Sequence, residues 1–292
     1  MKIIYNPKNI KPGQALALGN FDGFHQGHKA IMAKTLEIAK DKSLKPGVIT
    51  FEPHPIGLFR PDILPVRIND IHGKMELLAQ AGVENCYVIK FNRKFSEMKA
   101  YEFIEKYLLG NHIITGFNFA FGHNREGSPE LLHQVLAHDY TQVEPVQESG
   151  SIYSSSMVRM AIKSGEVRMA NKLLGYNYFI SGKIRKGAGK GAEIGFPTAN
   201  IRLKPSLLRL KYGVYAVNTN FGRGVANFGV RPTVDGKNEL LEVHLFDFDK
   251  KIYGEKMKVE FLDFIRAEKT YNSFDELKEQ IKKDCEIAKL KS

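Results

Sequence analysis

The sequence predicts an α/β protein with two domains: a parallel sheet covered by helices, followed by a small antiparallel β-barrel. A chain of 292 residues is long enough for two ordinary domains, each with its own core. Up to residue 175, apolar strand-like runs alternate with amphipathic helical ones, a pattern typical of parallel sheets. Beyond residue 175, strand-like runs follow one another without helices between them, which indicates an antiparallel meander or closed barrel.

The first predicted domain, residues 1–175, shows strands separated by helical patterns. The segment that follows His28 has one apolar helical face, formed by Met32, Leu36 and Ala39. Ser128 and Pro129 provide an N-cap and a first-turn proline for a later helix, and Gly175 closes the last one. The predicted strands are Leu16–Leu18, Val48–Phe51, Cys86–Ile89, His112–Gly116 and, more weakly, Tyr140–Val146.

The second predicted domain, residues 176–292, contains five strand-like runs and one helix. Ser273 and Glu276 have capping-box spacing at the start of that helix. Its apolar stripe predicts that it covers the barrel, and this stripe consists of Leu277, Ile281, Cys285 and Ala288. The predicted strands are Tyr178–Ile184, Tyr212–Asn218, Gly224–Gly229, Leu240–Asp247 and Lys256–Asp263.

The composition is that of a globular protein with an excess of positive charge. Lysine and arginine number 43 and acidic residues 32, a formal net charge of +11. A basic protein can bind nucleic acid, an anionic membrane surface or phosphorylated small molecules. No run approaches the roughly 20 apolar residues that span a membrane, and the N-terminus lacks a signal-peptide core. Cys86 and Cys285 have no metal-ligand spacing, so we expect reduced thiols in a cytoplasmic protein.

A phosphate site is predicted directly after the first buried strand. A turn with the sequence Gly-Asn-Phe-Asp-Gly leads into a helical pattern that opens with His25 and His28. A helix N-terminus attracts anions through its free N–H groups and its dipole, and imidazoles beside it add donors. The alternative is a capped turn whose histidines are polar surface residues. The candidate residues are Gly19, Asn20, Phe21, Asp22, Gly23, His25 and His28.

Three further stretches fall at the carboxyl ends of predicted parallel strands, where ligands bind in such sheets. Phe51–Pro55 (Phe-Glu-Pro-His-Pro) predicts a rigid turn. Gly116–Gly122 interleaves three aromatic residues with small ones, as either a core corner or a stacking surface for a flat ring. Tyr153–Arg159 is either an ordinary serine N-cap or a second phosphate cradle with an arginine.

In the second domain, a basic glycine-rich loop leads into Gly195–Asn200 (Gly-Phe-Pro-Thr-Ala-Asn). If this segment is extended, Thr198 and Asn200 point the same way and offer oxygen ligands suited to Mg²⁺. Glu242 is an acidic residue in an otherwise apolar strand. Its spacing alone favours an outward-facing side chain on an alternating strand.

The motifs of the first domain resemble the His-x-Gly-His nucleotidylyltransferases and, in their fuller form, the bacterial bifunctional riboflavin kinase/FAD synthetase family. The resemblance implies a Rossmann-like domain that adenylylates FMN. It implies that His25 and His28 hold the ATP phosphates. It also implies that Asn118, Phe119 and Phe121 face the flavin, and that Ser155, Ser156 and Arg159 meet the triphosphate. Ala120 and Met157 stand where many members carry arginine, and Ser156 replaces a threonine.

The second domain resembles riboflavin kinases through five motifs in the same order. The resemblance implies that Gly195, Thr198 and Asn200 bind Mg²⁺ and ATP, that Arg231 contacts the flavin, and that Glu242 accepts the proton of the riboflavin 5′-hydroxyl. Tyr271 stands where phenylalanine is usual. The motifs are Gly195–Asn200, Gly213–Tyr215, Asn227–Thr233, Glu242–His244 and Tyr253–Gly254.

The expected function is therefore two consecutive steps, riboflavin to FMN and FMN to FAD, with ATP as co-substrate and Mg²⁺ as cofactor. We expect no nucleic acid or membrane partner. The sequence leaves the oligomeric state undecided between a monomer and a weak homo-oligomer. The sequence is compatible with three alternatives. They are a riboflavin kinase with an inactive first domain, a nucleotidylyltransferase for another substrate such as a pantetheine phosphate, and a nucleic-acid-binding regulator that uses the positive charge.

Overall fold

The computed structural model describes residues 1–148, 150–187, 195–233 and 236–291. The chain folds into two compact units. The first unit consists of residues 1–67 and 74–155, and the second of residues 68–73 and 156–292. A division of the domains after residue 175 stays a prediction.

The first unit contains a six-stranded sheet in which every neighbouring pair of strands is parallel. The strand order is β1-β4-β3-β2-β5-β6, so β2 and β3 lie at the centre. All five residues of β2 are buried, as the apolar run predicts. The strands are β1 (Lys2–Tyr5), β2 (Gln14–Leu18), β3 (Lys45–Glu52), β4 (Asn85–Lys90), β5 (His112–Gly116) and β6 (Tyr140–Val143).

Helices follow the strands of this sheet. Helix α1 buries Ile31, Met32 and Ala39, and Ser128 caps α6 by accepting a hydrogen bond from the Leu131 N–H with Pro129 in the first turn. The helices are α1 (Gln26–Asp41), α2 (Ile56–Phe59), α3 (Ile71–Gln80), α4 (Arg93–Ser96), α5 (Ala100–Tyr107) and α6 (Pro129–Leu136). A short hairpin of β7 (Gln147–Glu148) and β8 (Ser151–Ile152) follows.

The second unit contains a closed barrel with antiparallel neighbours in the order β10-β13-β12-β11-β14-β9. The strand β10 was not among the predicted strands, because its residues belong to the Gly195–Asn200 motif and continue past it. The strands are β9 (Phe179–Arg185), β10 (Ala199–Arg202), β11 (Gly213–Thr219), β12 (Gly222–Thr233), β13 (Gly236–Leu245) and β14 (Lys256–Ala267). The helices are α7 (Ser155–Ser164), α8 (Val167–Leu174) and α9 (Phe274–Leu290).

Aromatic packing fills the barrel, and α9 covers one part of its outer face. Tyr178 stacks on Phe261 with ring centroids 5.7 Å apart, and Tyr215 meets Phe261 edge-on at 5.3 Å. Helix α9 begins as predicted, with the Ser273 side chain accepting a hydrogen bond from the Glu276 N–H. Its residue Cys285 packs with barrel residues such as Val214.

The architecture confirms the predicted fold class: a parallel sheet with helices, then an antiparallel barrel with a terminal helix. Along the ranges that the structure describes, no helix is both long and apolar enough to cross a membrane. Both cysteines are free and buried. Burial raises the pKa of the Cys86 thiol to about 12, so this thiol stays protonated near neutral pH.

Candidate active sites

The two histidines of the first unit lie together at the start of α1. His25 is the N-cap of this helix, and its Nδ1 accepts a hydrogen bond from the Gly27 N–H at 3.1 Å. In a neutral imidazole this leaves the proton on Nε2, the atom that can donate to a ligand. The rings of His25 and His28 stack with their centroids 3.8 Å apart. A side chain at position 27 would come within 3.1 Å of the His25 ring, so the glycine makes this packing feasible.

The turn before α1 has a strained backbone. Phe21 and Phe24 have φ angles of 50° and 40°, in the left-handed region, and both are buried. Each such residue costs on the order of 1–3 kcal/mol and needs surrounding contacts to persist. One contact is the hydrogen bond that the Ser155 hydroxyl donates to the Asp22 carbonyl at 2.8 Å. Ser155, predicted to meet the triphosphate, is therefore tied to the turn itself.

A cavity of about 710 Å³ opens at the carboxyl ends of the central strands of the first unit. Asn20 follows β2, Phe51 lies in β3, and Phe119 and Phe121 follow β5. This is the edge where ligands bind in parallel sheets. The cavity is lined by Asn20, Phe51, His54, Pro55, Ile56, Phe59, Phe91, Phe95, Ser96, Met98, Phe103, Phe119, Ala120, Phe121, Gly122, His123, Asn124 and Arg125.

Most of the aromatic wall of this cavity comes from residues that the sequence patterns did not single out. Phe59 is the last residue of α2, and its ring lies 5.9 Å from that of Phe91; Phe95, in α4, lies 5.6 Å from Phe91. The rings of Phe119 and Phe121 stack with their centroids 5.8 Å apart, and Phe121 also belongs to the buried core. Asn118 is exposed and does not line the cavity, so its predicted flavin contact stays a prediction.

The rim of the cavity is a loop held at both ends. Phe121 and Gly127 exchange backbone hydrogen bonds of 3.1 and 2.9 Å. The carboxylate of Glu126 accepts a hydrogen bond from the Ala100 N–H at 2.7 Å. Arg125 therefore reaches the cavity from a fixed loop, and no carboxylate is found among the described residues that line it.

In the second unit, barrel register brings together residues from three strands. Glu242 of β13 lies opposite Asn200 of β10 and, on its other side, opposite Asn227 of β12. Residues directly opposite in antiparallel strands lie on the same face, with Cβ atoms about 5 Å apart. The neighbours Leu241 and Val243 are fully buried, whereas Glu242 is only partly buried. Glu242 thus lies on the outer face of the barrel, the position that its alternating strand predicts.

Asn200 provides an oxygen suited to a cation. It is 4% exposed, and its Nδ2 donates to the Thr198 carbonyl at 3.3 Å. Its Oδ1 has no hydrogen-bond partner among the described residues. Buried polar atoms are nearly always satisfied, so this oxygen is suited to a ligand. The start of the basic loop lies close to it, since a Cβ at Gly187 would come within 2.4 Å of the Asn200 Nδ2.

The remaining predicted residues lie at separate places. Ser156 and Arg159 are in the first turns of α7 and belong to the second unit. Gly195 has a φ of 87° and stands just before β10. The backbone of Arg231 lies in β12, but its side chain is outside the described part of the structure, as are residues 188–194 of the glycine-rich loop.

Comparison with known proteins gives two family matches, one for each half of the chain. A model of FAD synthetase matches residues 8–157, and a model of riboflavin kinase matches residues 174–291. The Bacillus subtilis bifunctional riboflavin kinase/FMN adenylyltransferase is 38% identical over 96% of this chain and 93% of its own length. The chain belongs to this family.

Other similarities extend over the same length. The Escherichia coli K12 protein of the same description is 37% identical over 97% of this chain and 96% of its own. A crystal structure described as a macrolide-efflux protein from Streptococcus pneumoniae has a TM-score of 0.89 and 32% identity, covering 98% of both chains. The family resemblance predicted from the motifs is therefore confirmed.

Proposed function

We propose that this protein converts riboflavin to FMN and then FMN to FAD, each step at the expense of ATP. The observation that carries the proposal is the pair of family matches on consecutive, non-overlapping stretches, residues 8–157 and 174–291. The first stretch contains the paired histidines and the aromatic cavity. The second contains Asn200 and Glu242 in register on the barrel.

In the kinase step, the riboflavin 5′-hydroxyl attacks the γ-phosphorus of ATP, the bond from this phosphorus to the oxygen that bridges to the β-phosphate breaks, and ADP leaves with that electron pair. An alcohol is a weak nucleophile, so a positioned carboxylate that accepts its proton accelerates the attack. We assign this role to Glu242. Glu242 lies between two asparagines on the neighbouring strands, Asn200 of β10 and Asn227 of β12. This position supports the assignment.

Thr198 and Asn200 would hold Mg²⁺ together with the ATP phosphates. The unpartnered Oδ1 of Asn200 supports this assignment. No group of three histidine, cysteine or acidic side chains suited to a metal occurs in the described ranges, so most ligands would come from phosphate and water. When bound, Mg²⁺ shares the negative charge that develops on the transferred phosphoryl group.

In the adenylyl-transfer step, a phosphate oxygen of FMN attacks the α-phosphorus of ATP. The bond from this phosphorus to the bridging oxygen of the β-phosphate breaks, and pyrophosphate leaves with that electron pair. The attacking phosphate is already ionised at neutral pH, so the site needs no strong base. Alignment and hydrogen-bond donors carry the catalysis, and the Nε2–H of His25 and the imidazole of His28 fit that work.

The aromatic cavity of the first unit is the proposed site for the isoalloxazine ring of FMN. Aromatic side chains stack on flat rings, and a volume of about 710 Å³ lies in the usual range for small-molecule sites. Asn20 belongs both to the phosphate-binding turn and to the cavity wall. This supports a flavin ring in the cavity with its phosphate directed towards the histidines.

Product analysis of the purified full chain tests the proposal. Supplied with riboflavin and Mg²⁺-ATP, the protein should form FMN first and FAD after a lag, with ADP and pyrophosphate as the other products. Supplied with FMN and Mg²⁺-ATP, it should form FAD and pyrophosphate at once. FMN without FAD would instead support a kinase whose first domain is inactive, in which case Ala120→Arg in the cavity wall would be the first variant to test for restored FAD formation.

A further inference from the structure

A buried chain of polar contacts runs from Lys74 to the turn that carries the two histidines. The Lys74 side chain is 2% exposed, and its ammonium lies 2.8 Å from a carboxylate oxygen of Glu52. Arg67 donates to the same carboxylate at 2.9 Å. Burial alone raises the pKa of Glu52, but the hydrogen bond from Arg67 and the charge of Lys74 outweigh burial and hold the pKa below its usual range. The ionised carboxylate of Glu52 thereby holds the side chains of Lys74 and Arg67 in place.

Thr50 links this ionic cluster to the turn. Its side-chain oxygen lies 3.4 Å from the Lys74 ammonium and 3.1 Å from the Asn20 carbonyl oxygen. An ammonium can only donate a hydrogen bond, and a carbonyl can only accept one. The hydroxyl of Thr50 therefore accepts from Lys74 and donates to Asn20. The direction of its proton is fixed by the buried lysine.

The Asn20 carbonyl belongs to the peptide group directly before the strained residue Phe21. Rotation of this peptide group would move the Asn20 side chain, which lines the cavity, and every residue of the turn up to His25. The side-chain Oδ1 of Asn20 is buried without a hydrogen-bond partner among the described residues, as expected of an atom reserved for a ligand. Holding this peptide group therefore holds both a ligand-facing atom and the phosphate-binding turn.

We propose that Thr50, oriented by Lys74, is a positioning residue for adenylyl transfer. It acts through the Asn20 carbonyl on the turn that presents His25 and His28, and it touches no substrate itself. The inference rests on the proposed function of the first unit. Because that reaction depends on alignment, a loosened turn should lower kcat more than it weakens flavin binding.

The experiment compares Thr50→Val with Thr35→Val in the full-length protein. Thr35 is also fully buried, and its hydroxyl donates to the Ile31 carbonyl at 2.8 Å within α1, so both variants replace a buried hydroxyl by a methyl group. For FAD formation from FMN, kcat should fall about 10-fold in Thr50→Val and less than about 2-fold in Thr35→Val. KM for FMN should change less than about 2-fold in both. Riboflavin phosphorylation in the same samples should be unchanged.

Thr50→Ser restores the hydroxyl and should recover at least half of the wild-type kcat. Thr50→Ala, which adds no bulk, replaces Thr50→Val if that variant does not fold. An unchanged kcat in the variants that lack the hydroxyl, an equal loss in Thr35→Val, or no recovery with serine would overturn the inference. A wild-type protein that makes no FAD from FMN would refute the proposed function instead.

Discussion

The two proposed active sites differ in how they provide acidic groups. The cavity of the first unit combines aromatic rings, histidines and one arginine, with no carboxylate among its described lining residues. The barrel of the second unit places Glu242 between Asn200 and Asn227 on its outer face. Each site would bind the same nucleotide and a flavin ring, so the shared parts of the substrates do not explain the difference.

The acidity of the nucleophile explains it. A flavin phosphate reaches the first site already ionised, and a carboxylate beside it would repel both the nucleophile and the triphosphate. The riboflavin hydroxyl reaches the second site with its proton, and a carboxylate has to accept that proton during attack. Within one chain, the charge state of the attacking oxygen thus accounts for which site has a carboxylate that accepts a proton.

The largest expected effect concerns the carboxylate. Glu242→Gln should lower riboflavin phosphorylation about 10²–10⁴-fold, because an amide cannot accept the proton, and FAD formation from FMN should stay within about 2-fold. Both rates can be measured by separating FMN and FAD chromatographically. The matched control is Glu260→Gln, whose carboxylate lies on β14, 3.4 Å from Lys258, and it should leave both rates unchanged. An equal loss of phosphorylation in both variants would exclude Glu242 as the catalytic base.

The next effect concerns the histidine pair. His28→Ala should lower FAD formation from FMN about 10²-fold, the usual cost of a lost donor to developing negative charge, and should leave riboflavin phosphorylation unchanged. His133→Ala is the control, because this histidine is exposed on α6. If a folded His28→Ala protein lost the kinase activity as well, the two sites would not be independent.

A smaller effect is expected at the aromatic wall. Phe95→Ala should raise KM for FMN in FAD formation about 3- to 10-fold, since an aromatic stack contributes on the order of 0.5–1.5 kcal/mol, while KM for riboflavin in the kinase reaction stays constant. Phe221→Ala, which removes a ring packed on Phe248 in the second unit, is the control. An unchanged KM for FMN in Phe95→Ala would exclude this cavity as the flavin site.

The smallest effect concerns stability at the amino end of β5. Burial, then the nearby charge of Lys42, lowers the pKa of His112, with Asp139 opposing them. His112 therefore binds a proton more readily in the unfolded chain than in the folded one. The stability that the neutral His112 gives the folded state is lost as the pH falls below about 6.5. The free energy of unfolding of the wild type should fall as the pH drops below about 6.5, by at most about 1.4 kcal/mol per pH unit. His112→Gln should show a shallower slope with both activities intact; an identical slope would contradict the assignment.

Short-range patterns in the sequence predicted the secondary structure around the two histidines well. The strand, the glycine-rich turn and the histidines lie within 13 consecutive residues, from Leu16 to His28, and the structure forms β2, a strained turn and α1 from them. The outward position of Glu242 also follows from strand periodicity, although only the barrel register shows that it lies opposite Asn200.

Sequence patterns did not predict most of the aromatic cavity or the polar chain behind the turn. Phe59 and Phe95 belong to four-residue helices, too short for a periodic signal, and the sheet brings them together from separate loops. Lys74 lies 24 residues after Thr50 and 54 residues after Asn20. Such contacts depend on tertiary packing, which no local spacing encodes.

The most direct test of the central claim, two independent sites on one chain, is complementation between the two site variants. Glu242→Gln and His28→Ala proteins are each given riboflavin and Mg²⁺-ATP, alone and as an equimolar mixture. Neither variant alone should form more than trace FAD, the first for lack of FMN and the second because it stops at FMN, whereas the mixture should form FAD steadily. A mixture that accumulates FMN without FAD, although Glu242→Gln still converts added FMN to FAD, would contradict the account.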